Sequence, residues 1–284
     1  MNPTEQFERN RDHLRSVAYR MLGSVSEADD AVQEAWLRFD RAHADEVENM
    51  RAWLTVVVSR VCLDMLRSRR ARREDLFEGE LPEPIVTLDE VNDPEHEVLM
   101  ADSVGLALQV VLDTLSPAER LAFVLHDMFG LAFEEIAPIV ERSVPATRQL
   151  ASRARRRVRG AEPSSSASDG QQRRVIDAFL TASREGDFDA LLELLDPDVV
   201  MRVDAGRLGP SAELRGATDV AGMVLSQGTP RARLGRPATV NGAPGVLVAS
   251  GDRVMAVAAF TTANGRITSL NIVADPEKLR HVNV

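Results

Sequence analysis

Two blocks of helical periodicity, each ending in a run of arginines, are separated by an acidic stretch rich in proline. The runs are Arg67, Arg69, Arg70, Arg72, Arg73 and Arg153, Arg155, Arg156, Arg157, Arg159. Residues 74–102 between them hold eleven acidic side chains, three prolines and no Lys or Arg. A proline disfavours helix in the residue before it, so Leu81-Pro82-Glu83-Pro84-Ile85 is expected to be extended and 74–104 to serve as a linker. A Ser-rich stretch at 161–170 reads as a hinge, and the periodicity changes after it. The 284 residues therefore read as several modules: 5–73, 105–160 and 171–284, joined by 74–104 and 161–170.

The net charge of −10 comes almost wholly from the acidic stretch, so it does not argue against a nucleic-acid partner for the Arg-rich blocks. No apolar run approaches the roughly 18 residues of a membrane span, and Met1–Glu5 is unlike a signal peptide. A single cysteine, Cys62, leaves no internal disulfide and no cysteine metal cluster. The expectation is a cytoplasmic protein without metal, cofactor or membrane contact.

In the first block, Phe7, Leu14, Val17, Ala18, Met21 and Leu22 recur at helical spacing, and Gly23 suits a helix stop. Ser26-Glu27-Ala28-Asp29 reads as a capping box before a helix with Ala31, Val32, Ala35, Trp36 and Phe39 on one face. After a polar loop at 41–49, Arg51–Arg70 reads as one long helix, despite Val56-Val57-Val58. Its exposed flank is expected to carry Arg51, Thr55, Ser59, Arg60 and Asp64 beside Trp53, a mix suited to unpaired bases.

In the second block, Ser116-Pro117-Ala118-Glu119 combines an N-cap Ser, Pro at N1 and Glu at N3, with Gly130 closing that helix. A short helix over 133–140, a turn at Glu141-Arg142-Ser143 and a basic helix from Pro145 form a helix-turn-helix pattern. On the basic helix Arg148, Ser152, Arg155 and Arg159 share a face, flanked by Gln149, Arg153 and Arg156. Leu150, Ala154 and Val158 are the expected apolar stripe. Arg and Gln near the start of such a helix suit guanine and adenine edges in the major groove; later arginines suit phosphates. Pro138 falls inside the preceding helix, where it removes a hydrogen bond, and the turn lacks the usual glycine. From 171 on, two amphipathic helices (175–183 and 188–195) precede strands at 199–203, 245–250, 253–262 and 266–273. The last two are joined by the hairpin signal Asn264-Gly265, giving an α+β unit.

Asp30-Ala31-Val32-Gln33-Glu34-Ala35-Trp36-Leu37-Arg38, followed by Arg51-Ala52-Trp53-Leu54 and Asp64-Met65-Leu66-Arg67, resembles region 2 of bacterial extracytoplasmic-function (ECF) sigma factors. Leu115–Arg120, Glu135-Ile136-Ala137 and Arg148–Arg155 resemble region 4. Leu81-Pro82-Glu83-Pro84, Asp204-Ala205-Gly206-Arg207 and Asp275-Pro276-Glu277-Lys278-Leu279 are similar to three motifs of the subgroup with a SnoaL-like C-terminal domain. Two positions depart from that pattern: Glu80 replaces an aromatic and Ala205 a glycine.

The resemblance implies a multidomain fold: two all-α sigma domains (a region 2 helical bundle and a region 4 helix-turn-helix) plus a SnoaL-like α+β cone. It implies binding to core RNA polymerase, at the β′ clamp helices and the β flap, and to promoter DNA. By position, Asp30, Gln33, Glu34 and Arg38 fall to the polymerase. Trp53, Ser59, Arg60, Asp64 and Arg67 fall to the −10 element, with Arg70 near the backbone. Arg148, Gln149, Ser152, Arg153 and Arg155 fall to the −35 element. Leu81, Pro82, Glu83, Pro84, Asp204, Asp275, Pro276 and Lys278 are the expected interdomain contacts, through which the C-terminal domain would modulate activity. The acidic linker suits a basic polymerase channel. A small apolar ligand in the C-terminal cone is a further expectation. Two readings compete: a dimeric helix-turn-helix regulator that binds operators alone, and an isomerase-type enzyme with Asp204 as general base. Against the latter, Gly206-Arg207 suggests a turn with a salt-bridged Asp204, so no catalytic residue is assigned.

Overall fold

A computed structural model describes residues 3–41, 49–72, 80–88, 105–161 and 168–282. Most of the 41–49 loop, Arg73, residues 74–79 and 89–104 of the acidic stretch and most of the Ser-rich hinge lie outside them. The chain divides into two compact units. The first holds residues 1–76, 101–103 and 111–161; the second holds 77–100, 104–110 and 162–284.

The first unit is entirely helical among the described residues. It begins with α1 (Pro3–Glu8), α2 (Arg11–Leu22), α3 (Val25–Arg41) and α4 (Met50–Arg72). Gly23, at φ 72°, stops α2 with its N–H on the Tyr19 carbonyl. The cap of α3 is not Ser26, as the sequence suggested, but Ser24, whose Oγ accepts from the Glu27 N–H at 3.2 Å. Ser24-Val25-Ser26-Glu27 satisfies the same capping rule two residues earlier, with Gly23 immediately before it. Phe7, Trp36, Phe39 and Trp53 form a chain of ring contacts with centroids 5.0–5.9 Å apart.

Helix α4 is one uninterrupted helix, as its length and spacing required. It is apolar over most of its circumference because it packs against four helices: α2, α3, α6 (Pro117–Phe123) and α7 (Phe133–Val140). Burial also pushes the Cys62 thiol up to about 12, although Arg120 nearby pulls it the other way; this thiol is inert.

Ahead of α6 runs α5 (Leu106–Asp113), whose last three residues belong to this unit. The N-cap Ser116 and Glu119 bond reciprocally, completing the box read from the sequence. Helix α6 then continues into a π-helical turn, Val124–Met128, before Gly130 at φ 71°. Helix α7 runs through Pro138, which stands at an exposed position. In the turn, Glu141 takes the glycine's role at φ 56°, ψ 47°, a left-handed conformation costing about 1 kcal/mol. Its N–H and that of Arg142 both return to the Ala137 carbonyl. Helix α8 (Val144–Ala161) follows.

The second unit is α+β. Helices α9 (Asp169–Glu185) and α10 (Phe188–Leu194) precede β2 (Leu195–Asp204) and β3 (Ala212–Arg215). Then come α11 (Ala217–Met223), α12 (Thr229–Ala232), β4 (Gly235–Val240), β5 (Ala243–Ser250), β6 (Arg253–Ala263) and β7 (Arg266–Val273). The sheet order is β1-β4-β5-β6-β7-β2-β3, where β1 is Val86–Thr87 from the acidic stretch. Strand β2 pairs parallel with β7, with a register shift that absorbs Asp196-Pro197-Asp198. Asn264 and Gly265, at φ 53° and 78°, make the expected β6–β7 turn.

The sheet is buried on both faces. Val246 and Val248 of β5, with Ala256, Ala258 and Phe260 of β6, pack on one face with Val175, Phe179 and Leu180 of α9. Leu247, Val257 and Ala259 point to the other face, where Leu81, Leu106, Leu279 and Val282 cover them. Alternation is lost in these strands because neither face meets water. Within the first of these clusters Phe179 stands edge-on to Phe260 at 5.4 Å.

Residues 80–88, read from sequence as linker, form the edge of this sheet. Val86 and Thr87 pair with Val240 and Thr239 of β4. The Ile85 N–H donates to Asn241 Oδ1 at 3.0 Å, and the Asn241 N–H returns to the Ile85 carbonyl at 2.8 Å. The Leu81 N–H donates to Asp204 Oδ2 at 2.8 Å, while Lys278 Nζ donates to both the Leu81 carbonyl (2.6 Å) and Asp204 Oδ2 (2.7 Å). The Asp204 side chain is 1 % exposed. Removing one partner of a buried ion pair leaves the other uncompensated. Asp204→Ala is therefore expected to destabilise the second unit by about 3 kcal/mol and to expose residues 80–88 to protease. Urea denaturation and limited proteolysis with mass mapping check both; an unchanged cleavage pattern contradicts the clamp.

Candidate nucleic-acid and polymerase interfaces

Helix α8 divides cleanly. Thr147, Ala151, Ala154 and Val158 are buried, with Leu150 half-buried, so the apolar stripe runs from Thr147 and Ala151 rather than from Leu150. Arg148, Gln149, Ser152 and Arg153 are all exposed on the first half of the helix. Ser143 caps it, accepting the Ala146 N–H on Oγ. Arg155 is half-buried, and its Nε donates to Asp127 Oδ1 at 2.6 Å. This candidate DNA contact is thus held by the protein's own carboxylate. Arg148 lies 5.7 Å from the centre of the Phe133 ring and 3.3 Å from Glu134 Oε1.

On α4, Arg60, Asp64, Arg67 and Arg70 are exposed and Trp53 is half-buried against Phe39. Ser59 does not lie on an exposed flank, as expected from sequence, but is fully buried, and so is Thr55. Their hydroxyls bond back to the carbonyls one turn earlier: Thr55 to Arg51 at 2.7 Å and Ser59 to Thr55 at 2.6 Å. Such back-bonding satisfies the hydroxyl of a small polar residue within a packed helix face. Their polarity therefore gave no sign of burial.

On α3, Asp30 and Gln33 are exposed, and Arg38 Nε donates to Glu34 Oε1 at 2.9 Å. Arg38 also approaches Asp64 on α4 at 4.0 Å, linking the two candidate faces. In the second unit Pro82 and Pro84 are buried with Leu81, Glu83 is half-buried, and Pro276 is exposed. Asp275 accepts the Glu277 N–H at 2.9 Å and sits against Gly206, which has φ +50° and no room for a Cβ. Asp204 is engaged on both oxygens, since Oδ1 accepts the Gly206 N–H at 3.1 Å. The isomerase reading's one candidate base is thus taken up as an ion-pair and turn partner.

Four residues that sequence reasoning missed join the two helical modules. Arg120, 2 % exposed, donates Nε and Nη2 to the Arg20 carbonyl at 3.2 and 3.0 Å, and is ion-paired to Asp113. The Phe129 ring lies 4.6 Å from the Arg20 guanidinium and edge-on to His13 at 5.4 Å. His13 Nδ1 faces Arg51 Nη2 at 3.0 Å, and Nε2 faces Thr55 Oγ1 at 2.9 Å. A guanidinium only donates, so Nδ1 accepts and the proton sits on Nε2. Glu119, beside Arg120, is penalised by burial, yet its bonds from Ser116 and Arg157 outweigh this and lower its pKa. The stabilisation it gives is present above the ordinary Glu range and lost as pH falls through its lowered value.

Helical modules with a capped helix-turn-helix and an exposed Arg/Gln/Ser patch define a DNA-binding protein. Its particular kind follows from comparison. Residues 6–72 match the family model Sigma-70 region 2, and residues 105–158 match Sigma-70, region 4. The chain is 41% identical to the ECF RNA polymerase sigma factor SigJ of Mycobacterium tuberculosis, over 96% of this chain and 92% of that protein. It is 36% identical to the probable ECF RNA polymerase sigma factor SigI of the same species, over 95% and 92%. The crystal structure of M. tuberculosis SigJ superposes with a TM-score of 0.79 at 36% identity, covering 97% of this chain and 98% of that one. The chain belongs to the ECF RNA polymerase sigma factors, with the SnoaL-like C-terminal domain expected from the motifs. No described helix is long and apolar enough to cross a membrane.

Arg120→Leu removes two hydrogen bonds to a buried carbonyl and leaves Asp113 unpaired. It is expected to cost about 2–4 kcal/mol and to speed amide exchange in α2 and α6 together. Exchange confined to α6 would contradict the coupling.

Proposed function

We propose that the chain directs core RNA polymerase in the cytoplasm to promoters with −10 and −35 elements. In this reading Arg148, Gln149, Ser152 and Arg153 read the −35 element in the major groove. Arg60, Asp64 and Arg67, with Trp53 at their edge, take the −10 element. Asp30, Gln33, Glu34 and Arg38 dock on the β′ clamp helices, and the β flap receives region 4. The observation that carries the reading is the contiguous exposure of Arg148, Gln149, Ser152 and Arg153, opposite a buried stripe of small side chains.

The docking of Arg120 on the Arg20 carbonyl and of Phe129 on Arg20 and His13 describes a resting form. A promoter sets its two elements apart, so regions 2 and 4 separate when they engage DNA. The C-terminal domain modulates activity by holding Leu81–Thr87, the chain between the regions, in its sheet. It acts as a fused regulator and not as an enzyme.

Runoff transcription with purified core polymerase tests the reading. Arg153→Ala is expected to lose about 1–3 kcal/mol of −35 discrimination; unchanged promoter selectivity contradicts the assignment of α8. A chain ending at Ser164 is expected to transcribe at a rate different from the full-length chain. Equal rates remove the regulatory role of the C-terminal domain while leaving promoter recognition intact.

A further inference from the structure

Of the exposed arginines on the first half of α8, Arg148 is gripped by the preceding helix. Its Nη2 donates to Glu134 Oε1 at 3.3 Å, and its guanidinium lies over the Phe133 ring at 5.7 Å. Phe133 is in turn stacked on His126, with centroids 3.9 Å apart and 26° between planes. His126 is anchored through Nδ1 to the Leu131 carbonyl at 2.8 Å. Ring, imidazole and carboxylate thus form a support that rises from the π-helical turn and ends at one guanidinium.

This arrangement is unusual for a DNA-facing surface, because Glu134 is 64 % exposed and carries the wrong sign for phosphate. An isolated surface pair of this kind contributes little to stability, so folding does not account for it. Its effect on Arg148 is larger. A free arginine side chain reaches phosphates and bases alike, and phosphate contacts carry no sequence information. A carboxylate beside the guanidinium opposes phosphate approach, uses one of five N–H donors, and leaves the rest as a fork of the shape that guanine O6 and N7 accept.

We propose that Glu134, with Phe133 beneath it, positions Arg148 and so sets the base preference at one position of the −35 element. The proposal rests on the assignment of α8 to that element. Asp127 holds Arg155 and Glu119 holds Arg157 in the same manner further along α8, and Arg148 is the held arginine near the start of the helix, where base edges are read.

The test uses the full-length chain with core polymerase and a pool of duplex DNA randomised upstream of the start site. Retained DNA is sequenced for the parent, Arg148→Ala, Glu134→Ala and Glu134→Gln. Arg148→Ala is expected to flatten a guanine preference at one position by about tenfold or more. Glu134→Ala is expected to weaken preference at that same position by about three- to tenfold, with more retention of random sequence. Glu134→Gln, which keeps an acceptor without the charge, falls between. Melting temperatures are expected to be unchanged, so a purely structural role is told apart. If Arg148→Ala flattens one position and Glu134→Ala leaves it intact, or alters a different position, the proposal is overturned. If Arg148→Ala flattens no position, the assignment of α8 itself fails.

Discussion

One buried carboxylate organises the second unit. Asp204 terminates β2, receives the Leu81 N–H and Lys278 Nζ on one oxygen, and holds the Gly206 turn with the other. Three segments far apart in the chain therefore meet at a single side chain. A buried ion pair is a poor source of net stability, because desolvation offsets its attraction. Its value here is selectivity of pairing. Only a segment that offers an N–H and a carbonyl at the right spacing satisfies both Asp204 and Lys278.

The first unit is organised by burial around α4. Helices pack on it from several sides, and Thr55 and Ser59 are left with almost no exposed surface in this form. Arg120 makes the contact specific, since a guanidinium with almost no exposure must satisfy its donors inside the protein. The reading face of α8 is left uncovered by these contacts, whereas part of the α4 flank is not. The two promoter-facing surfaces are therefore in different states of readiness.

Much of this was legible in the sequence. The capping box at Ser116, the helix over 133–140, the Asn264-Gly265 turn and β7 are all local, and local chemistry decides them. Helical spacing placed Arg148, Gln149, Ser152 and Arg153 on the uncovered side of α8, but it also placed Arg155 there, which Asp127 draws in. What escaped was decided at long range. Strand β4 went unread because Arg236 and Pro237 interrupt its pattern, yet Pro237 is tolerated where β1 covers only Thr239 and Val240. Asn241-Gly242, the same turn dipeptide as Asn264-Gly265, marked that hairpin. The burial of Ser59 and the role of Arg120 depend on what packs against them, and neither residue type signals it. One clue to the covered second face was present: Gly245–Ala249 and Val254–Phe260 are apolar without alternation, as strands wet on one side are not.

That second covered face has a consequence for how the chain can change state. Ala238, Val240, Leu247 and Val257 are shielded by Leu81, Leu106 and the tail residues Leu279 and Val282. Stripping Leu81 and its neighbours away would wet a continuous oily surface and invite clumping with other molecules. Departure of this segment is therefore best understood as an exchange of covers, in which some other apolar surface takes its seat, and not as the simple opening of a latch.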